Sequence, residues 1–215
     1  MAHKVHPKIF RIGTTEKWNS VWFSLKNYPE KLKEDIKIRE LLEKMFEKGI
    51  VEKVIIERKG TRIDIIIRTP RPGILIGKGG GGVEIISKKI NDLLKSLNKN
   101  FKREVRIEVE EVREPTLSAN LLAQQIASDI EKRISYKRAA KKILKRVEQR
   151  REIKGIKIKI KGRLDGVEIA RSHLFKAGEM PLQTLRANID YGTARAKCSY
   201  GIVGIKVWLY KGEKI

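Results

Sequence analysis

Gly73-Ile-Leu-Ile-Gly77-Lys78-Gly79-Gly80-Gly81-Gly82-Val83 is the stretch on which the reading of this chain turns. Six of its eleven residues are glycine, with one lysine and no acid. Glycine lets the backbone take positive φ and approach a ligand closely, at an entropic penalty of about 0.5–1 kcal/mol inside a helix. A segment that accepts this penalty has a tight turn to make or a phosphate to touch. A P-loop requires G-x-x-x-x-G-K-[ST], but only three residues separate Gly73 from Gly77, and Gly79 stands where a Mg²⁺-binding hydroxyl belongs. The dinucleotide fingerprint G-x-G-x-x-G is met formally by Gly77, Gly79 and Gly82, which is nearly automatic in a glycine run. Its loop follows Thr69-Pro-Arg-Pro72 instead of running off a strand, and the acid it needs about 20 positions on would be Glu104, at a strand start. A third pattern is a GXXG turn between two helices, whose backbone grips nucleotides. Ile76-Gly77-Lys78-Gly79-Gly80 fits it and makes Gly77, Lys78, Gly79 and Gly80 candidate RNA contacts. The plain alternative is a helix-connecting turn that touches nothing.

Working outward, Val83, Ile86, Ile90, Leu93, Leu94 and Leu97 recur at helical spacing and predict a helix over 83–97, ended by Asn98 to Asn100. Residues 103–113 alternate, with Val105, Ile107 and Val109 against Arg106, Glu108 and Glu110, and read as a half-exposed strand. Upstream, Tyr28-Pro29 opens a helix running to about Lys48, with Leu32, Ile36, Ile38, Leu41, Leu42, Met45 and Phe46 as its apolar face and Gly49 as its stop. Strands over 51–57 and 61–68 flank a Lys59-Gly60 turn. Helix, strand, strand, helix–glycine turn–helix, strand is the element order of the type II KH domain, and Glu114-Pro115 is its expected end.

A second helix-rich stretch follows. Thr116 or Ser118 can cap a helix to about Ile134, with Leu122, Ile126, Ile130 and Ile134 on one side. In the next helix Tyr136, Ala139, Ala140, Ile143, Leu144 and Val147 fill one half of the wheel. Lys137, Arg138, Lys141, Lys142, Lys145 and Arg146 fill the other without an acid among them. Solvated helices mix signs, because like charges at i,i+4 destabilise; a one-sign face points to a phosphate surface. Residues 153–161 alternate, with Ile156, Ile158 and Ile160 inward and Lys157, Lys159 and Lys161 outward. Further strands are expected over 167–175, 182–191 and 199–210, with Gly178 and Gly192 at turns. The fold class is therefore α+β: a type II KH domain over 17–113, then a second α+β domain over 114–215, a helix pair on a mainly antiparallel sheet.

The 215 residues carry 49 Lys and Arg against 26 Asp and Glu, a net charge of +23. Such an excess repels itself and calls for a polyanionic partner, of which nucleic acid is the usual one. Residues 1–16 read as a basic arm with Lys4, Lys8 and Arg11, either frayed or ordered on RNA. A single cysteine, Cys198, excludes an internal disulfide and a cysteine-based zinc site, and three scattered histidines make no metal set. We expect no metal, no cofactor and no small-molecule substrate. No apolar run approaches the roughly 18 residues of a membrane span, and the N-terminus has no secretory apolar region. A cytoplasmic protein without a membrane partner is expected.

Lys4-Val-His-Pro7, Trp18-Asn-Ser-x-Trp22-Phe, Arg71-Pro-Gly-Ile-Leu-Ile-Gly-Lys78 and Glu111-Val-Arg-Glu-Pro115 resemble the bacterial-type family of small-subunit ribosomal protein three. So do Gly162-Arg-Leu-x-Gly-x-Glu-Ile-Ala-Arg171, Pro181-Leu-x-Thr-Leu-Arg-Ala-x-Ile-Asp-Tyr191 and Tyr200-Gly-Ile-Val-Gly-Ile-Lys-Val-Trp208, in order along nearly the whole chain. The resemblance implies a non-enzymatic constituent of the ribosome that binds the 3′ major domain of small-subunit rRNA in the head. It implies small-subunit ribosomal proteins ten and fourteen as neighbours, and a place at the mRNA entry channel. Lys137, Arg138 and Lys141 match the family's mRNA-contacting positions, and further rRNA contacts are expected at Lys4, His6, Lys8, Arg11, Lys142, Lys145, Arg146, Arg163 and Arg171. Two departures stand out. Lys137 replaces an arginine frequent in relatives, keeping the charge but not the planar fork. Gly79 replaces a second base, and Gly81 and Gly82 replace acids. The rival reading is a free KH-domain RNA chaperone or RNA-processing factor. An enzyme would need a convergent set from Asp165, Glu168 and Asp190, which read more simply as loop and capping residues.

Overall fold

The computed structural model describes residues 5–97 and 104–213. They form two compact units: one spans Trp18–Arg113, and the other joins the segment before it to everything after it. In chain order the elements are α1 (Pro7–Phe10), β1 (Ser20–Val21), α2 (Tyr28–Met45), β2 (Lys53–Lys59), β3 (Arg62–Thr69), α3 (Pro72–Ile76), α4 (Gly81–Leu97) and β4 (Glu104–Glu111). They continue with α5 (Ala119–Glu131), α6 (Tyr136–Glu148), β5 (Gly155–Gly162), β6 (Arg171–Gly178), β7 (Ala187–Cys198) and β8 (Gly201–Glu213). No helix among the described residues is long and apolar enough to cross a membrane.

In the Trp18–Arg113 unit the sheet order is β1-β2-β3-β4. β2 and β3 pair antiparallel from Lys53↔Arg68 to Lys59↔Arg62, and Gly60, at φ +57°, turns the hairpin. β3 and β4 are parallel, and parallel neighbours need a crossover. The crossover here is α3, the glycine turn and α4. Alternate residues Ile56, Ile63, Ile65 and Ile67 point to one face and bury against Ile38 and Leu42 of α2, Leu75 of α3, and Ile86, Ile90 and Leu94 of α4. Each such side chain contributes about 1.5–3 kcal/mol of transfer free energy.

The α2 face differs from its periodicity. Leu32 and Ile36 are exposed, while Glu34 and Asp35 are buried on the inward side. They are drawn there by Arg58 of β2, whose guanidinium binds both carboxylates and the Lys31 carbonyl, while Trp22 Nε1 donates to Asp35 Oδ2 at 2.8 Å. A one-sided apolar stripe cannot foresee an ion cluster supplied by another strand.

In the other unit β6-β5-β8-β7 form a fully antiparallel sheet. Ile156, Ile158 and Ile160 of β5 and Val203, Ile205, Val207 and Leu209 of β8 bury against α5 and α6, through Leu122, Ile126, Ala139, Ala140 and Ile143 among others. Ser118 caps α5, its Oγ accepting from Leu121 N at 3.5 Å. The third strand departs from expectation: it runs Ala187–Cys198, so Gly192 lies inside it and not at a turn. A Cβ at Gly192 would sit 2.4 Å from the Ala119 backbone, so glycine is required there by the start of α5 crossing the strand. β6 likewise starts only at Arg171.

Candidate nucleic-acid interface

α3 ends because Gly77 takes φ +68° and ψ −177°, its N–H donating to the Gly73 carbonyl at 3.0 Å. Gly79 and Gly80 follow at φ +63° and +84°, in the left-handed region that side-chain-bearing residues enter only at a penalty. Beside Gly79, Gly80 and Gly81 nothing lies within 4 Å of a virtual Cβ, so the turn presents bare backbone to solvent. Gly82 is different. A Cβ there would meet the Leu75 carbonyl at 2.3 Å and the Ile76 carbonyl at 2.9 Å, so glycine lets α4 begin directly against α3. The turn thus brings the positive dipole end of a 17-residue helix to an open surface. Ile74, Ile76 and Ile85 are exposed around it. The Lys78 side chain lies outside the described residues.

Next to this turn an open groove of about 800 Å³ runs between α4 and β4, lined by Val83, Ser87, Lys88, Asn91, Lys95 and Arg106, with Glu84, Asp92 and Glu104. The sequence reading missed it. Its signal was the four-residue recurrence Val83, Ser87, Asn91, Lys95, which becomes a groove wall only once β4 lies alongside.

The basic helix is α6. Tyr136, Ala139, Ala140, Ile143 and Val147 are buried, which turns Lys137, Arg138, Lys141, Lys142 and Lys145 outward. Arg138, Lys141 and Lys145 have no acidic partner among the described residues, and the Lys137 ammonium lies 6.0 Å from the Tyr136 ring centre. Two of the six cations also reach α5: the exposed Lys142 has Nζ 3.9 Å from Asp129 Oδ2, and Arg146 donates to Gln125 Oε1 at 3.1 Å. The first turn of α6 is held by Asp165. Its carboxylate accepts from Ser135 Oγ at 3.0 Å and from Tyr136 N at 3.4 Å. Tyr136 Oη in turn lies 3.0 Å from His173 Nδ1 of β6. Arg171 alternates with His173 and Phe175 on β6 and so shares their sheet face. It is exposed.

The structure corrects the basic arm. Arg11 is buried, donating from Nε to the Ala187 carbonyl at 2.8 Å and from its two terminal nitrogens to the carbonyls of Pro7, Leu182 and Thr184 at 3.1, 3.0 and 2.8 Å. A guanidinium with these four acceptors is a fastener within the protein, not a phosphate contact. Lys8 Nζ pairs with Asp190 Oδ1 at 2.9 Å. His6 caps α1, accepting from Ile9 N at 3.4 Å, and stands edge-on to Tyr191. Burial, then Lys8 and Lys206, push its pKa below the ordinary histidine value, disfavouring the charged form. Arg163 is also turned inward, toward the carbonyls of Val167, Tyr200 and Gly166 at 3.0, 3.4 and 3.5 Å. Lys4 lies outside the described residues.

Two of the three candidate acids are committed to structure, and Glu168 is exposed on a loop. Asp165 caps α6, and Asp190 Oδ2 accepts from Ala119 N at 2.8 Å at the start of α5. Among the described residues no three His, Cys, Asp or Glu side chains are grouped to hold a metal. The Trp18–Arg113 unit therefore offers bare backbone at its glycine turn, and the other unit, separately, a one-sign helix suited to a polyanion.

A profile of the KH domain matches residues 37–117, and one of the C-terminal domain of ribosomal protein S3 matches residues 126–209. The chain is 47% identical over 216 residues to small ribosomal subunit protein uS3 of Sulfurihydrogenibium sp. (strain YO3AOP1), covering 100% of this chain and 92% of that one. It is 45% identical to uS3 of Thermosipho africanus, covering 99% of each. It is 44% identical to uS3c of Cyanophora paradoxa, covering 100% of this chain and 96% of the relative. The chain belongs to the uS3 family of small ribosomal subunit proteins.

Proposed function

We propose that this chain is a structural, RNA-binding constituent of the cytoplasmic small ribosomal subunit. In this reading it holds the 3′ major domain of small-subunit rRNA in the head and lines the mRNA entry channel. The observation that carries the reading is the α6 face, with Lys137, Arg138, Lys141 and Lys145 outward and in no ion pair among the described residues. Residues at i and i+4 on a helix lie about 5–6 Å apart, so the row formed by Lys137, Lys141 and Lys145 can follow a sugar-phosphate chain. Each phosphate neutralised on a single strand releases counterions and adds about 0.7 to the slope of log affinity against log salt. Such contacts ignore base identity, as a channel for any message requires. The bare turn at Gly77, Gly79 and Gly80 lets a further stretch of RNA approach the backbone closely. No catalytic step is assigned: of the three acids an active site would need, Asp165 and Asp190 are spent on helix caps.

The protein neighbours have a surface of their own in the Trp18–Arg113 unit. Phe23 and Leu25 are 79% and 85% exposed, with Trp18, Val21, Tyr28, Leu32 and Ile36 also exposed in the same N-terminal part of the unit. Exposed apolar side chains in such numbers mark protein contacts, and we assign them to small-subunit ribosomal proteins ten and fourteen.

The test replaces Lys137, Arg138 and Lys141 by glutamine in subunits translating matched messages with and without a hairpin ahead of the entry site. Slower elongation on the hairpin message, with subunit assembly and the plain message unaffected, is the expected result. Equal slowing on both, or none on either, removes the entry-channel role. A protein that stays off the subunit in sedimentation at high salt is instead a free RNA chaperone.

A further inference from the structure

The sheet of the second unit has two faces, and only one is covered by helices. Ile156, Ile158 and Ile160 point at α5 and α6, so Lys157, Lys159 and Lys161 point away from them. Strand register carries that outer face across the sheet. Lys157 stands opposite Lys176 of β6 and Trp208 of β8; Lys159 stands opposite Leu174 and Lys206; Lys161 stands opposite Ser172 and Gly204. On β7, Arg195 faces Gly204 and Lys197 faces Ile202. Glu213, opposite Ala187, is the one acid that register brings to this face, at the end beyond Trp208 and Tyr191; none occurs among the strand residues between them and Ile202.

One end of the face is closed. Trp208 packs with Met180 and Leu182, its ring also met by the Lys157 ammonium at 5.5 Å, and Tyr191 is buried under the edge of His6. The rest is open, with Lys159, Lys161, Lys176, Lys206 and Lys197 all exposed. Alternate residues on a strand are about 6.6–6.8 Å apart and neighbouring strands about 4.8 Å. These cations therefore repel one another well inside the Debye length of about 8–10 Å. Like charge at that density is destabilising on its own and is relieved by a complementary polyanion.

The open part also says which polyanion. Its exposed large apolar side chains are the aliphatic Leu174 and Ile202, and the aromatic rings of the face are at its closed end. A linear row of cations such as that on α6 can follow one strand through its phosphates, but a broad two-dimensional face gains a single strand by stacking its bases on aromatic rings, and here no ring is offered. Double-helical RNA keeps its bases stacked internally and is met through phosphates and 2′-hydroxyls across a wide, shallow groove. We infer that the outer face of the β6-β5-β8-β7 sheet is a second RNA surface, which takes the backbone of a double-helical RNA segment. It deepens the RNA-binding reading above and rests on it: α6 takes the single strand, and the far side of the same sheet takes the duplex.

The experiment uses the full chain and two probes, an RNA hairpin of about 16 base pairs and a uridine oligomer, with affinity read by fluorescence anisotropy over a salt series. In one variant Lys159, Lys161 and Lys206 become glutamine; in the other Lys137, Arg138 and Lys141 do. The sheet variant should lose hairpin affinity at least roughly tenfold, with its log–log salt slope flattened by about 2–3. Its uridine-oligomer binding should stay within about twofold, and the α6 variant should show the reverse. Arginine at the same three sheet positions, which keeps the charge, should restore the hairpin and exclude misfolding as the cause. Hairpin binding unchanged in the sheet variant overturns the inference and leaves the α6 reading standing. Loss of binding to polyglutamate in place of the hairpin overturns it in favour of an acidic protein. A native chain that binds neither RNA overturns both readings.

Discussion

At the scale of the residue, Asp190 shows how a side chain in a basic protein is tied to structure. Burial works to raise its pKa, but Lys8, Lys211 and the Ala119 N–H outweigh that and hold it below the usual carboxylate value. A lowered native pKa means that the stabilisation is complete above the unfolded value of about 3.9. It is lost as pH falls through the native one. Asp190→Asn should therefore destabilise this unit by about 1–3 kcal/mol at neutral pH. In thermal melts the gap to the native protein should narrow as pH falls below about 4; a gap that persists unchanged there would show that the charge is not what matters. The sequence pointed to Asp190 as a capping or loop residue, yet neither Lys8 nor Ala119 is near it in the chain. Arg11 makes the opposite point: its charge read as an RNA contact, and its acceptors are carbonyls at Leu182, Thr184 and Ala187.

At the scale of the element, the glycine run divides by function. Gly77, Gly79 and Gly80 are there for positive φ, whereas Gly82 is there for space. The two roles are separable. Gly82→Ala drives a methyl group into the Leu75 and Ile76 carbonyls and should lower stability by about 1–3 kcal/mol, the usual penalty for overpacking. Gly81→Ala meets nothing within 4 Å and gains helix propensity, so it should be neutral or stabilising by up to about 1 kcal/mol. Differential melts of the two variants check the sign. If both lose stability equally, the close approach of α3 and α4 is not what demands glycine. Periodicity found these helices because each buries a stripe of its own residues. It misjudged α2, where Arg58 from another strand reverses the preference for burying carbon over carboxylate.

At the scale of the molecule, the segment before Trp18 belongs with the unit formed after Arg113, fastened through Arg11 and the Lys8–Asp190 pair. Removing the first 12 residues should speed hydrogen exchange in β7 and the 182–187 loop and leave β2 and β3 unchanged. Equal acceleration in both units would argue against this attachment. The α+β class, the KH element order, the basic α6 face and the family resemblance were all legible in the chain. Each of these is written in local period, turn chemistry or contiguous motif, where neighbours in sequence carry the information. The buried Arg11, the ion cluster around Arg58, the groove between α4 and β4, the steric need for Gly192 and the cationic outer sheet face were not. Each depends on residues distant in sequence meeting through strand register or helix packing. Register and packing are settled by the burial of the whole core, not by any one segment.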